Sequence, residues 1–309
     1  MYISYAAPFG RAYQRMVNAL FRPFDLKKWF LVGFTAFLAG LLDSPGGNGG
    51  SSRSGGGDYP DFESIAHAPH YVWDWLSTHQ GWMVLIAFGT IVVIGLVIII
   101  TWLSSRGKFM FLDNVIHDRA LVAEPWDKYK HLADSLFLWR VMYGFIVFLA
   151  VVMFFTYFFI RAADIYENGV YEDFPWFFII RYGLLAFALF LIISFISLLL
   201  DSFIVPIMYQ NNLLATDAWR KFMPLFQAHF FRFVFYGLFV FLIGILVFIL
   251  VVLLGFMTCC IGLLLVIIPY ISSVVLLPVS YTLRAFSVEF LAQFGPDYIE
   301  PEEQQTFMV

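Results

Sequence analysis

Long apolar runs alternate with short polar stretches along the whole chain. Trp82–Leu103, Val141–Ile160, Trp176–Leu200, Phe233–Leu254 and Phe256 to about Thr282 are nearly free of charge. Each is close to or above the ~20 residues that cross a hydrocarbon core at ~1.5 Å per residue, so the pattern predicts five transmembrane helices. Trp29–Leu42 is a shorter run of 14 residues. Lys27 and Lys28 can snorkel at one end and the uncharged Gly46 and Gly47 can extend the other, which makes it a sixth span.

The polar stretches before the odd-numbered spans have a helical period of their own. In the first, Tyr13, Met16, Val17, Leu20 and Phe24 share a face, with Arg11, Arg15, Asn18 and Arg22 on another. The second places Trp126, Tyr129, Ala133, Leu136 and Phe137 beside Lys128 and His131, and the third places Trp219, Phe222, Phe226 and Phe230 beside Arg220 and Lys221. All three read as amphipathic helices lying in the membrane interface.

A phrase recurs at a spacing of 93 residues: Val141-Met142-Tyr143-Gly144-Phe145-Ile146-Val147-Phe148-Leu149 returns from Val234 to Leu242, with Gly237 in the place of Gly144. The same register pairs Trp126 with Trp219, Lys128 with Lys221, Leu132 with Leu225 and Phe137 with Phe230, ten identities in 24 positions. Gly33 fits the same glycine position. Internal duplication follows, and with it an all-α polytopic membrane fold of six transmembrane helices in three parallel-repeat hairpins, units of about 8–103, 120–205 and 213–292. The glycines are expected where neighbouring spans approach closely.

Composition agrees with the pattern and excludes a soluble domain. The chain is 61% hydrophobic and 13% charged, against roughly a quarter charged in soluble domains. With six spans, fifteen of the 18 Lys and Arg fall on the side that holds both termini, and Arg53, Arg161 and Arg181 fall on the other. The positive-inside rule puts both termini in the cytoplasm. The first 25 residues include Arg11, Arg15, Arg22 and Asp25 and no apolar core of a signal peptide, so the first span is expected to direct insertion.

The outer loops differ in kind. Residues 44–58 form a Gly/Ser-rich linker, and Tyr71, Trp73, Trp75 and Trp82 read as an aromatic belt. Residues 296–309 form an acidic tail expected to be disordered. Cys259 and Cys260 are adjacent in a short turn and fit neither a disulfide framework nor a zinc spacing.

Candidate chemistry is sparse. Arg106 and Lys108, followed by Asp113 and Asn114, put two cations at headgroup level and suit a phospholipid phosphate, as do Arg11, Arg15 and Arg22; ordinary basic anchors are the competing reading. Asp113 and His117 share a helix face, as do Asn114 and Asp118, with Glu124, Asp127, His131 and Asp134 in the same loop, but no metal-ligand spacing occurs. His67, His70 and His79 with Asp61 and Asp74 match no standard zinc site either, so no metal and no cofactor are expected. Within the spans charge is nearly absent, which argues against an ion-coupled pump. Pro269, Ser272 and Ser273 in the last span are the candidates for lining a polar cavity, through carbonyls that proline frees.

At Phe21-Arg22-Pro23-Phe24-Asp25-Leu26-Lys27-Lys28-Trp29, Arg106-Gly107-Lys108-Phe109-Met110-Phe111-Leu112-Asp113-Asn114 and Leu283-Arg284-Ala285-Phe286-Ser287-Val288-Glu289-Phe290-Leu291, the chain resembles a family of uncharacterised polytopic bacterial membrane proteins. More distantly it is similar to the membrane domain attached to some glycerophosphoryl diester phosphodiesterases. The resemblance implies membership and carries no catalytic residue, because that chemistry resides in a separate barrel domain.

These readings combine into one expectation: a non-enzymatic, multi-pass protein of the bacterial inner membrane that binds lipid or amphiphile, or scaffolds a membrane-protein partner. Its partners are membrane lipids, with anionic headgroups on the cytoplasmic face, and not nucleic acid. An uncoupled small-molecule transporter or channel is the alternative, and a membrane-embedded enzyme of lipid chemistry using Asp113 and His117 is third.

Overall fold

The computed structural model describes residues 4–42, 68–167, 176–257 and 268–299. In chain order the helices are α1 (Ala6–Phe21), α2 (Leu26–Ala39), α3 (Ala68–Thr78), α4 (Gln80–Ile116), α5 (Ala123–Lys128), α6 (Lys130–Glu167), α7 (Trp176–Leu199), α8 (Val205–Asn211), α9 (Ala215–Ala228), α10 (Phe230–Met257), α11 (Pro269–Val275) and α12 (Leu277–Ala292). A π-helical turn at Leu200–Ile204 joins α7 to α8. No strand occurs among the described residues, in keeping with the all-α expectation. The 44–58 linker, Asp61, His67, the two cysteines and the tail from Glu300 lie outside the described residues.

Four helical stretches are long and apolar enough to cross a membrane: Gln80–Ile116, Lys130–Ile165, Trp176–Asn211 and Phe230–Met257. They correspond to four of the five long apolar runs. The fifth run is not one helix, because α11 and α12 are separated at Leu276, where ψ is 5°. Pro278 then occupies the first turn of α12, where its missing N–H leaves no hydrogen bond unmade. The second proline therefore opens a helix instead of kinking a span. α2, with 14 residues, reaches only ~21 Å at ~1.5 Å per residue, short of a ~30 Å core. The described residues thus present four candidate spans where the apolar pattern predicts six.

The chain divides into two compact units. One comprises residues 1–47, 100–139 and 196–309, and the other residues 48–99 and 140–195. The core of the first is aromatic: Phe203, Phe222, Phe233, Tyr236, Phe286 and Phe290 are fully buried. Tyr236 stacks on Phe286 with centroids 5.1 Å apart, and Phe233 meets Phe203 edge-on at 5.0 Å. Such geometries add to the area that large rings bury. In the second unit Ala162, Phe178 and Tyr182 form a small core that Phe154 and Phe158 flank, and the Tyr143 hydroxyl donates to the Ile193 carbonyl at 2.9 Å. Beside it, α3 and α6 bound an apolar groove of ≈800 Å³ lined by Val72, Val151, Val152, Phe155 and Phe159, with His70 at one wall.

α1 has three faces instead of the predicted two. Pro8, Ala12, Met16, Ala19 and Leu20 are buried, and the small alanines let α1 lie close on α12, where Phe9 meets Phe286 edge-on at 5.7 Å. Tyr13 and Phe24, expected on the same face as Met16, are instead about half exposed, at 52% and 56%. Together with Phe21 they form a second, uncovered apolar stripe, continued by Leu26, Phe30 and Phe34 at intervals of four along α2. The Trp29 indole fixes the corner by donating to the Leu20 carbonyl at 2.8 Å. Asp25 caps α2, its carboxylate accepting from the Lys27 amide at 2.8 Å.

The other two predicted interfacial helices also differ. α5 is only 6 residues long, and Ala133, Leu136 and Phe137 belong to the long helix α6. In α9, Phe222, expected on the apolar face that an interfacial helix turns to the membrane, is instead fully buried in the protein core. The breaks before the two long helices fall at Tyr129 and His229, 100 residues apart, so they do not keep the spacing of the repeated phrase. Of the glycines assigned to it, Gly33 makes a tight contact, since a Cβ there would lie 2.7 Å from Val274 Cγ2. Gly144 is exposed with nothing within 4 Å of such a Cβ, and Gly237 is half-buried.

Candidate functional site

Helix α4 outruns its apolar stretch and carries the polar sequence from Ser104 to Asn114 into the core of its unit, where the core rather than the solvent decides the partners. Lys108 is 1% exposed and its ammonium pairs with the Asp201 carboxylate on the π turn. Arg284 on α12 donates to the Asp201 carbonyl at 2.6 Å. A π turn misaligns its hydrogen-bond ladder, and a carbonyl there that accepts from a guanidinium is a ready use of that defect. Arg106 lies against the rings of Trp102 and Trp126, 4.6 and 4.8 Å from their centroids, and its guanidinium reaches Asp134 at 3.3 Å. Cation–π contact and an ion pair together hold it in place.

Asp113, 2% exposed, is the hub of a second network. Its Oδ1 accepts from the Tyr209 hydroxyl at 2.7 Å and the Tyr129 hydroxyl at 3.0 Å, and lies 3.3 Å from His117 Nδ1. Arg119 approaches Oδ2 at 3.7 Å. A buried carboxylate needs such a set of donors to offset its lost hydration. Beside Tyr129, the Lys128 ammonium is held above the ordinary lysine range, chiefly by its hydrogen bond with that residue. Asn114 has a different duty: its amide accepts from the Leu121 N–H at 2.9 Å and donates to the Leu121 carbonyl at 3.0 Å, closing the turn after α4. Asp118, with φ of 50°, ends that helix.

Between this turn and α1 lies a cleft of ≈490 Å³ lined by Arg11, Gln14, Arg15, Asn18, His117 and Asp118. The α1 residues are spaced i, i+3, i+4 and i+7, one stripe of the helix. Arg15 donates to the Ile116 carbonyl at 2.7 Å, fastening α1 to the end of α4. Glu289 on α12 takes Arg11 Nε at 2.7 Å and stands 3.9 Å from Arg15. Asp118, in the wall facing α1, pairs with Lys28 at 2.9 Å.

The structure therefore brings Arg11, Arg15, His117 and, behind them, Asp113 together, and gives Arg106, Lys108 and Asn114 internal partners. Arg22 is exposed beyond the end of α1 and does not line the cleft. Ser272 and Ser273 are half-buried on α11, which packs on α2 through Val274; of Pro269 only its place at the start of α11 is described. His79 stacks on Trp75 with centroids 4.7 Å apart, and no group of three metal-ligating side chains occurs among the described residues. Gln14 is missing from the sequence expectation, although its spacing of three from Arg11 and four from Asn18 places it on their stripe. Glu289, Asp201 and Tyr209 carry no local signal of their roles.

The described residues are helical without strands, and four of the helices have the length and composition to cross a bilayer, the character of a membrane protein. The chain matches the Family of unknown function (DUF7544) over residues 6–298 and belongs to it. No curated protein and no solved structure matches it, so the similarity to the phosphodiesterase membrane domain gains no support from relatives.

Proposed function

We propose that the chain is a non-enzymatic, multi-pass lipid-binding module of the bacterial inner membrane, with its cleft-bearing face toward the cytoplasm. The observation that carries this reading is the three-faced α1. One stripe packs on α12, a second exposes Tyr13 and Phe21, and the third carries Arg11, Gln14, Arg15 and Asn18. A helix in that state suits the headgroup layer, with aromatic side chains in the acyl boundary and arginines at the phosphates. The exposed Leu26–Phe30–Phe34 line of α2 continues the apolar stripe and supports a short membrane span there, one of the two that the six-span topology adds to the four long helices. The apolar groove between α3 and α6 has the chemistry to take an acyl chain.

The test is lipid retention. Protein purified in mild detergent and analysed by native mass spectrometry is expected to carry phospholipid, enriched in anionic species over the membrane it came from. A folded, fully delipidated protein that takes up no phospholipid from mixed micelles contradicts the reading.

A further inference from the structure

The cleft beside α1 has a charge balance that names its ligand. Arg11, Arg15 and Lys28 supply three positive charges, and Glu289 and Asp118 two negative ones, all within the ion pairs described. Behind the cleft, Asp113 and Arg119 offset one another. One positive charge is left over, which a singly charged phosphodiester would match.

Donor geometry points the same way. Glu289 engages Arg11 through Nε, so the two Nη groups carry no bond to the described residues on a side chain that is 54% exposed. The His117 ring turns Nδ1 inward to Asp113 and to the Tyr209 hydroxyl, both at 3.3 Å, leaving Nε2 on its exposed side. The Gln14 and Asn18 amides stand on the same helical stripe as Arg11. Several donors converging from different elements suit a tetrahedral anion better than a planar carboxylate, and the paired Nη groups of arginine suit two phosphate oxygens. Glu289, 12% exposed, holds both arginines in position without filling the cleft.

Resting on the lipid-binding reading, we infer that this cleft is a specific site for the phosphodiester of an anionic glycerophospholipid. Arg11 and His117 grip the phosphate oxygens, and Gln14 and Asn18 take the ester side. Asp118, at the far wall beside Lys28, accepts from a hydroxyl of the headgroup. The neighbouring Tyr13 stripe sets the cleft at headgroup depth, so the glycerol end of such a lipid runs toward the apolar side of α1. A soluble glycerophosphodiester shares the same headgroup chemistry and differs only in lacking that anchor.

The test uses the full-length protein in micelles, titrated with short-chain phosphatidylglycerol, short-chain phosphatidylcholine, glycerophosphoglycerol and inorganic phosphate. Phosphatidylglycerol is expected to bind most tightly, with Arg11→Gln and His117→Gln each weakening it about tenfold and Arg22→Gln leaving it unchanged. None of the three side chains is buried, so all variants should fold. Arg11→Gln and His117→Gln lose a contact to Glu289 and to Asp113 and should melt slightly below wild type, and binding is compared well below the lowest melting point. If wild type binds phosphatidylglycerol and both cleft variants bind it equally well, the site is overturned while the lipid-binding reading stands. If glycerophosphoglycerol binds as tightly as the lipid, the ligand is a soluble phosphodiester and the lipid assignment is overturned. Absence of any lipid binding by wild type sinks the broader reading as well.

Discussion

Gly107 and Ala39 meet backbone to backbone: a Cβ built on Gly107 would lie 2.5 Å from the Ala39 nitrogen and 2.5 Å from the Leu38 carbonyl carbon. The neighbouring Ser104 hydroxyl donates to the Ala39 carbonyl at 2.9 Å, so the end of α2 is fastened on α4 at this point. Backbone atoms cannot rotate out of the way as a side-chain tip can. Gly107→Ala is expected to destabilise the protein by about 3 kcal/mol, the upper end of the overpacking range. Gly144→Ala, with open space around the position, should fall within about 0.5 kcal/mol of wild type. Denaturant or thermal melts of both variants in one detergent check the contrast.

The Lys108–Asp201 pair predicts an asymmetry between single and double substitution. Lys108→Met leaves a carboxylate without its ammonium, and Asp201→Asn leaves a buried ammonium without its carboxylate; each should cost about 3–5 kcal/mol. Lys108→Met combined with Asp201→Leu removes both charges and should recover much of that loss. A double substitution as unstable as the sum of the singles would mean that the two side chains act separately.

Tyr209 and Tyr129 both donate to the same Asp113 oxygen, at 2.7 and 3.0 Å. Either Tyr→Phe change alone leaves Asp113 one hydroxyl donor, so each should cost about 1–2 kcal/mol. Removing both strips the buried carboxylate of its two tyrosine donors, and the loss should exceed the sum of the singles. A double-mutant cycle from chemical denaturation measures that excess, and strict additivity would contradict a shared acceptor.

The distribution of basic residues predicts an orientation that labelling can test. In a variant with Cys259 and Cys260 replaced, Ser51→Cys is expected to react with an impermeant maleimide in intact cells, and Gln304→Cys only after permeabilisation. Labelling of both positions in intact cells would show that the chain crosses the membrane an even number of times between them, and labelling of Gln304→Cys alone would show that it is inverted.

The four long helices were legible because twenty apolar residues in a row have few other stable places to go. The break at Leu276 was missed because a proline inside an apolar run reads as a kink, whereas Pro278 sits where a helix begins. Arg106 and Lys108 read as headgroup cations because their carboxylates, Asp134 and Asp201, are 28 and 93 residues away and no periodicity announces them. Gly144 read as a contact because its phrase is repeated, yet the tight glycines are Gly33 and Gly107, whose neighbours lie on other helices. Arg11 and Arg15 were legible as one stripe of α1, but the cleft they share with His117 exists only once α1 is packed on α12.

The π turn at Leu200–Ile204 sets a phase. A turn with one extra residue shifts everything after it by about 100° around the helix axis relative to an unbroken α-helix. Tyr209 lies beyond that shift, and its reach to Asp113 depends on it. Deleting one residue within 200–204 would keep the segment apolar and still long enough to cross a bilayer, yet it would turn Tyr209 to another side of the helix. This stretch is therefore constrained in its count of residues as well as in the side chains, Asp201 and Phe203, that it supplies to the core.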